Sequence, residues 1–149
     1  MIDARVGRLR RTLTSVSGVP TTPGNRLDLL RNGDEIFPAM LAAIEDATTS
    51  IDFLTFIYWS GSIGTQFADA LGRAAERGAR VRVLLDMVGA KSIDRKIVRR
   101  MKDRGVDVRW FRPPSPLHPI RANHRTHRKV LVCDERIGFT GGVGIADEW

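Results

Sequence analysis

The chain has 149 residues, of which 42% are hydrophobic and 28% charged, and carries a net charge of +7. That length suits one domain with a real core, and no apolar run approaches the roughly 18 residues needed to span a bilayer. After its first arginines the N-terminus turns to Thr12-Leu13-Thr14-Ser15, too polar for a secretory leader, and the single cysteine, Cys133, excludes an internal disulfide and suits a reducing cytoplasm.

Residues 1–23 combine Arg5, Arg8, Arg10 and Arg11 with a Ser/Thr/Gly/Pro stretch and are predicted to be a disordered basic arm. Residues 24–149 are predicted to form the folded domain. A short strand is expected at Leu27–Leu30, closed by the Asn32-Gly33 turn. Asp34 is expected to cap a helix running to about Thr48, with Pro38 in its first turn. The β-branched and aromatic run Ile51–Tyr58 predicts a buried strand. Thr65–Arg77 predicts a helix stopped by Gly78, and Arg80–Asp86 a strand. A helix capped by Ser92 is expected to reach Arg104 and stop at Gly105, before a strand at Val106–Phe111. A long connection with Pro113, Pro114, Pro116 and Pro119 follows, and such loops are often functional. The last two strands, Arg128–Cys133 and Ile137–Thr140, make a hairpin. Alternating strands and helices predict an α/β fold with a largely parallel or mixed central sheet flanked by helices. The apolar Val143, Ile145 and Trp149 would begin a further element, so a C-terminal truncation is expected.

Charge is unevenly placed. Residues 95–129 hold twelve Lys/Arg against two Asp/Glu, together with all three histidines. Such a focus attracts phosphates. For Arg95, Lys96, Arg99, Arg100, Lys102 and Arg104 a solvated helix face is the better explanation; Arg125, Arg128 and Lys129 lie beside a more specific pattern.

That pattern is His127-x-Lys129-x-x-x-x-Asp134. On a strand, His127 and Lys129 point the same way, while Asp134 falls on the opposite parity at the strand end, where it would fix the turn. An imidazole serves as nucleophile or general base near neutral pH. A neighbouring ammonium binds non-bridging phosphate oxygens, and this chemistry needs no metal or cofactor. Gly141-Gly142-x-Gly144 would leave backbone N–H groups open to a phosphate, although taken alone the glycines are better explained by a plain turn. Thr140 would add a hydroxyl there, or simply pack the strand. His118, His124 and His127 form a poor metal site, because the surrounding positive charge repels a divalent cation.

His127-x-Lys129-x4-Asp134 followed by Gly141-Gly142 resembles the signature of the phospholipase D superfamily. The flanks Asn123–Val132 and Ile137–Gly142 resemble its bacterial cardiolipin-synthase-like branch, as do Gly33–Met40 and Phe56–Trp59. The resemblance covers about Asn25 to Trp149. It implies cleavage or exchange of a phosphodiester through a covalent phosphohistidine. His127 would be the nucleophile, Lys129 the phosphate-binding cation and Asp134 a structural acid; Arg125, Thr140, Gly141 and Gly142 would contribute to phosphate binding.

Three departures from the family pattern stand out. The chain has one motif where the family uses two, so the general acid must come from a second copy or a second repeat. Gly144 stands where the family often has Asn. The acid that orients the nucleophilic histidine lies further on in the family, and Asp147 and Glu148 are poor substitutes. The expected substrate is a phospholipid or another phosphodiester, with peripheral contact to an anionic membrane at its cytoplasmic face through the basic segments. The alternatives are a homodimeric metal-independent nuclease, which the cardiolipin-synthase-like flanks disfavour, and a truncated, inactive phosphate-binding domain.

Overall fold

The computed structural model describes residues 4–113 and 125–149. Its elements in chain order are α1 (Ala4–Ser17), α2 (Asn32–Asp46), β1 (Ser50–Thr55), α3 (Ser62–Glu76), β2 (Arg80–Asp86), α4 (Arg95–Asp103), β3 (Asp107–Phe111), β4 (Val130–Cys133) and β5 (Ile137–Thr140). The strands form one mixed sheet in the order β3-β2-β1-β4-β5. β1, β2 and β3 run parallel, each joined to the next through a helix. The hairpin β4–β5 adds antiparallel to the other side of β1.

Strand alternation decides where the core lies. Phe53 pairs with Val83 on one side and with Leu131 on the other, and Val83 pairs with Val108. All four are buried, with Ile51, Val81, Leu85 and Cys133. The helices cover this face. Phe67 of α3 stacks on Phe53 at 6.2 Å and meets Phe37 of α2 edge-on at 5.9 Å. Apolar burial of this kind is the main stabilising term. The opposite face carries Leu54, Leu84, Val130 and Val132 beside an Asp52–Arg82 ion pair with contacts of 2.5 and 2.7 Å. That pair is half exposed and contributes little net stability.

Several sequence expectations need correction. The N-terminal segment is helical from Ala4 to Ser17, not disordered. Arginine and leucine are good helix formers, and Gly18 ends the helix with a positive φ of 68°. Leu27–Leu30 is not a strand: Leu27 and Leu29 are 96% and 80% exposed and pair with nothing in the sheet, since alternation alone supplies no partner edge. α2 begins at Asn32, so Asp34 lies within its first turn and Pro38 is its seventh residue. The carboxylate that closes this end belongs to Glu35, which accepts from the Arg31 N–H at 2.7 Å. The strand predicted to Tyr58 ends at Thr55, and Tyr58 makes only an isolated parallel bridge to Ile145. α4 is capped by Asp94, which accepts from the Lys96 N–H at 2.8 Å, rather than by Ser92. Among the described residues no helix is long and apolar enough to cross a membrane.

Candidate active site

The carboxyl ends of parallel strands are where α/β sheets gather ligands. β1 leaves the sheet at Thr55 and β2 at Asp86, while β4 enters there at Val130 and β5 leaves at Thr140. His127, Arg128 and Lys129 lie just before β4, outside the ladder. The strand parity expected to align His127 and Lys129 is therefore not what brings them together. Phe56, the residue after β1, supplies the common surface. Its ring centroid is 4.8 Å from that of His127, and Lys129 Nζ is 5.8 Å from the same centroid. Lys129 Nζ also donates to the His127 carbonyl at 3.3 Å.

The two side chains differ in exposure. His127 is exposed, whereas Lys129 is only 7% exposed. Burial pushes the Lys129 ammonium below the ordinary lysine value. An anion arriving beside it would restore a charge partner.

Asp134 occupies the other end of the sheet. Five strand steps separate it from Lys129, about 16 Å of extended chain, so it cannot share a phosphate with His127. Its carboxylate accepts from the backbone N–H groups of Thr48, Thr49 and Ser50 at 2.9–3.0 Å. It also accepts from the Thr48 and Thr49 hydroxyls at 3.2 and 2.7 Å. The Ser50 and Thr48 N–H groups, followed by the Thr49 hydroxyl, hold its pKa far below the usual carboxylate range. Asp134 and Glu135 both have positive φ, forming the tight turn between β4 and β5. Asp134 thus pins the hairpin to the entry of β1.

Thr140, Gly141 and Gly142 are exposed at the end of β5, on the edge that holds Lys129. A side chain at 141 or 142 would meet nothing within 4 Å, and neither glycine has positive φ. Neither packing nor backbone conformation there requires glycine. What it permits is close approach from outside.

Arg125 is turned inward. Its Nη1 donates to the Arg112 carbonyl at 3.2 Å and lies 3.8 Å from Asp86 Oδ1. Its guanidinium is thus engaged with the sheet edge. Asp86 was not singled out from the sequence. It is fully buried, and Oδ1 accepts from the Val88 and Gly89 N–H groups at 2.9 and 3.2 Å. Its Oδ2 has no hydrogen-bond partner among the described residues. The available signal was a buried apolar strand ending in a carboxylate, Val83-Leu84-Leu85-Asp86, at the ligand-binding edge.

The segment after the glycines locks onto the loop that carries Phe56. Ile145 N–H donates to the Ile57 carbonyl at 3.0 Å, and Trp59 N–H to the Ile145 carbonyl at 2.8 Å. Gly144 sits in this contact, and a Cβ there would lie 2.5 Å from the Ile57 Cβ. Packing against Ile57 therefore favours glycine at position 144. Gly144→Asn is expected to cost about 2 kcal/mol of stability by overpacking, measured by chemical denaturation. An unchanged midpoint would show that Ile57 yields freely. Asp147 is committed elsewhere: it accepts from the Ser62 and Ile63 N–H groups at 2.9 and 2.8 Å, capping α3. These bonds hold its pKa down.

Part of the basic block faces acids on α3. Arg100 meets Asp69 at 2.7 Å, and Arg104 meets Glu76 at 3.1 Å. His118, Asn123, His124 and the prolines from Pro114 to Pro119 lie outside the described residues.

Residues 40–148 match the family model described as "Cardiolipin synthase, PLD-like domain". The chain belongs to the phospholipase D-like cardiolipin synthase family. It is 35% identical over 149 residues to cardiolipin synthase 1 of Bacillus cereus, covering 99% of this chain and 29% of that protein. It is 38% identical over 127 residues to cardiolipin synthase B of Escherichia coli, covering 84% of this chain and 31% of that protein. The chain thus spans less than a third of the length of these relatives. The crystal structure of the phospholipase D family member Nuc from Salmonella typhimurium shares the fold, with a TM-score of 0.58 at 21% identity over 78% of this chain and 69% of that one.

Proposed function

We propose that this domain carries the nucleophilic half of a phosphatidyltransferase or phosphodiesterase of the cardiolipin-synthase type. An imidazole nitrogen of His127 attacks phosphorus; the N–P bond forms as the P–O bond to the departing alcohol breaks. In the second step an acceptor alcohol or water attacks phosphorus, and the N–P bond breaks to return free His127. Lys129 binds the non-bridging oxygens in both steps. Thr140 and the open backbone at Gly141 and Gly142 give the phosphate a further boundary. The departing oxygen needs a proton, and a second motif, from another copy of the chain or from another repeat, supplies it and takes it back from the acceptor alcohol or water in the second step. Asp134 has a structural role, and Arg125 steadies the segment before His127 instead of binding phosphate. The substrate surface is an anionic membrane, contacted peripherally.

The observation that carries this proposal is the pairing of an exposed His127 with a buried Lys129 on one ring, Phe56, at the carboxyl edge of the sheet. Family membership supports it. The direct assay is conversion of labelled phosphatidylglycerol, with transfer to glycerol-bearing lipid and hydrolysis measured separately. Cleavage of DNA without lipid turnover would favour the nuclease alternative. Lys129→Met is expected to lower kcat/KM roughly 100- to 1000-fold. Lys129→Arg would not restore it, because a planar guanidinium does not fit the buried ammonium site. Full activity in Lys129→Met would remove the cation from the proposed site, and full activity in Lys129→Arg would remove the requirement for an ammonium there.

A further inference from the structure

α1 carries Val6, Leu9, Leu13 and Val16 at spacings of three, four and three residues. At 3.6 residues per turn they form one stripe on one face. They are 46, 58, 48 and 83% exposed, and no residue of α1 is buried. Following the chain explains why the stripe stays open. Arg10 donates to the Thr21 hydroxyl at 3.1 Å and to the Thr21 carbonyl at 3.0 Å. The continuing chain therefore folds back along the side of Gly7, Arg10 and Thr14, away from the stripe. The helix holds four arginines and no Asp or Glu. It also lies outside the residues 40–148 that match the family model.

We infer that α1 is an interfacial anchor that seats Val6, Leu9, Leu13 and Val16 in the surface of an anionic bilayer, with Arg5 and Arg8, on the flank of the stripe, nearest the lipid phosphates. The charge pattern selects this occupant. Nucleic acid would neutralise the arginines but leave the stripe in water. A second α1 would cover the stripe but bring eight arginines together. An anionic bilayer satisfies both at once, since apolar burial and attraction to acidic headgroups act in the same plane. The inference deepens the membrane contact in the proposed function and names the segment responsible.

The test is co-sedimentation of the full chain with phosphatidylcholine vesicles, with and without phosphatidylserine at about one lipid in three. Phosphatidylserine provides charge without offering the proposed transfer substrate. Binding to the mixed vesicles only is expected. Leu9→Ser with Leu13→Ser should weaken it about tenfold, as should Arg5→Gln with Arg8→Gln. Because Cys133 is buried, a Leu13→Cys variant takes an environment-sensitive dye selectively; its emission should shift to the blue on vesicles, and that of Ser15→Cys should not. These variants should turn over a soluble phosphodiester as the wild type does, and His127→Ala should bind vesicles unchanged. The inference is overturned if neutral vesicles bind equally, if the leucine variant binds as tightly as the wild type, or if α1 variants lose soluble-substrate turnover. It is equally overturned if the stripe mediates self-association or DNA retention in place of vesicle binding. Turnover undiminished in His127→Ala, or absent from the wild type, with vesicle binding as expected, would instead count against the active-site proposal.

Discussion

Replacing His127 with alanine is expected to reduce phosphodiester turnover on the order of 10⁴-fold or more, because among the described residues of the site no other side chain is placed to take over the covalent step. The side chain is exposed at the sheet edge and its ring touches Phe56, so folding depends little on it. The melting temperature should stay within about 2 °C of the wild type. That split separates chemistry from collapse of the site. Phe56→Ala offers a contrast. It leaves the nucleophile and the cation in place but removes their shared surface, so turnover should fall while some adduct chemistry survives. Residual turnover in His127→Ala at a tenth of the wild-type rate would mean that phosphorus is attacked by something else.

Asp134→Asn should have the largest effect on stability while leaving the site's reacting groups untouched. The carboxylate gathers five donors from Thr48, Thr49 and Ser50, and an amide keeps one acceptor oxygen where the carboxylate has two. The melting temperature at neutral pH should drop on the order of 5–10 °C. The pH dependence carries the same information. Asp134 is held far below the ordinary carboxylate pKa, so its stabilisation is complete above about pH 4, where the unfolded group titrates. It is lost as pH falls from there towards the folded value. The wild type should therefore lose stability steeply below about pH 4, and Asp134→Asn should lose less over the same range. Parallel acid limbs in the two proteins would remove Asp134 from its bracing role.

The sheet was legible in the sequence where period and punctuation agreed. Arg80–Asp86 and Ile137–Thr140 have the predicted bounds, the first because a Val/Leu run starts just after Gly78 and closes on a carboxylate, the second because Asp134-Glu135-Arg136 and Gly141-Gly142 bracket it. Leu27–Leu30 had the alternation but no neighbouring strand, which single-segment patterns cannot reveal. α1 was missed because polarity suggested disorder, while its helix-forming composition and exposed stripe need no core. Asp134 was read as a turn residue from its place at the end of a Val/Leu run before Glu135 and Arg136. Its partners, 84 to 86 residues earlier in the chain, could not be read locally. Phe56, Asp86 and Gly144 act through contacts between distant segments. They became visible only once the end of β1, the loop after β2 and the segment after β5 were brought to one edge.

The central claim is that His127 forms a bond to phosphorus. A nitrophenyl phosphodiester tests it most directly, because nitrophenolate departs without a proton and bypasses the need for a second motif. Intact mass after quenching, followed by fragmentation, should show one phosphoryl adduct per chain on His127. The adduct should be labile in acid, accompanied by stoichiometric nitrophenolate release, and absent from His127→Ala. An adduct that persists in His127→Ala, or nitrophenolate release at the same rate without His127, would contradict the proposed nucleophile.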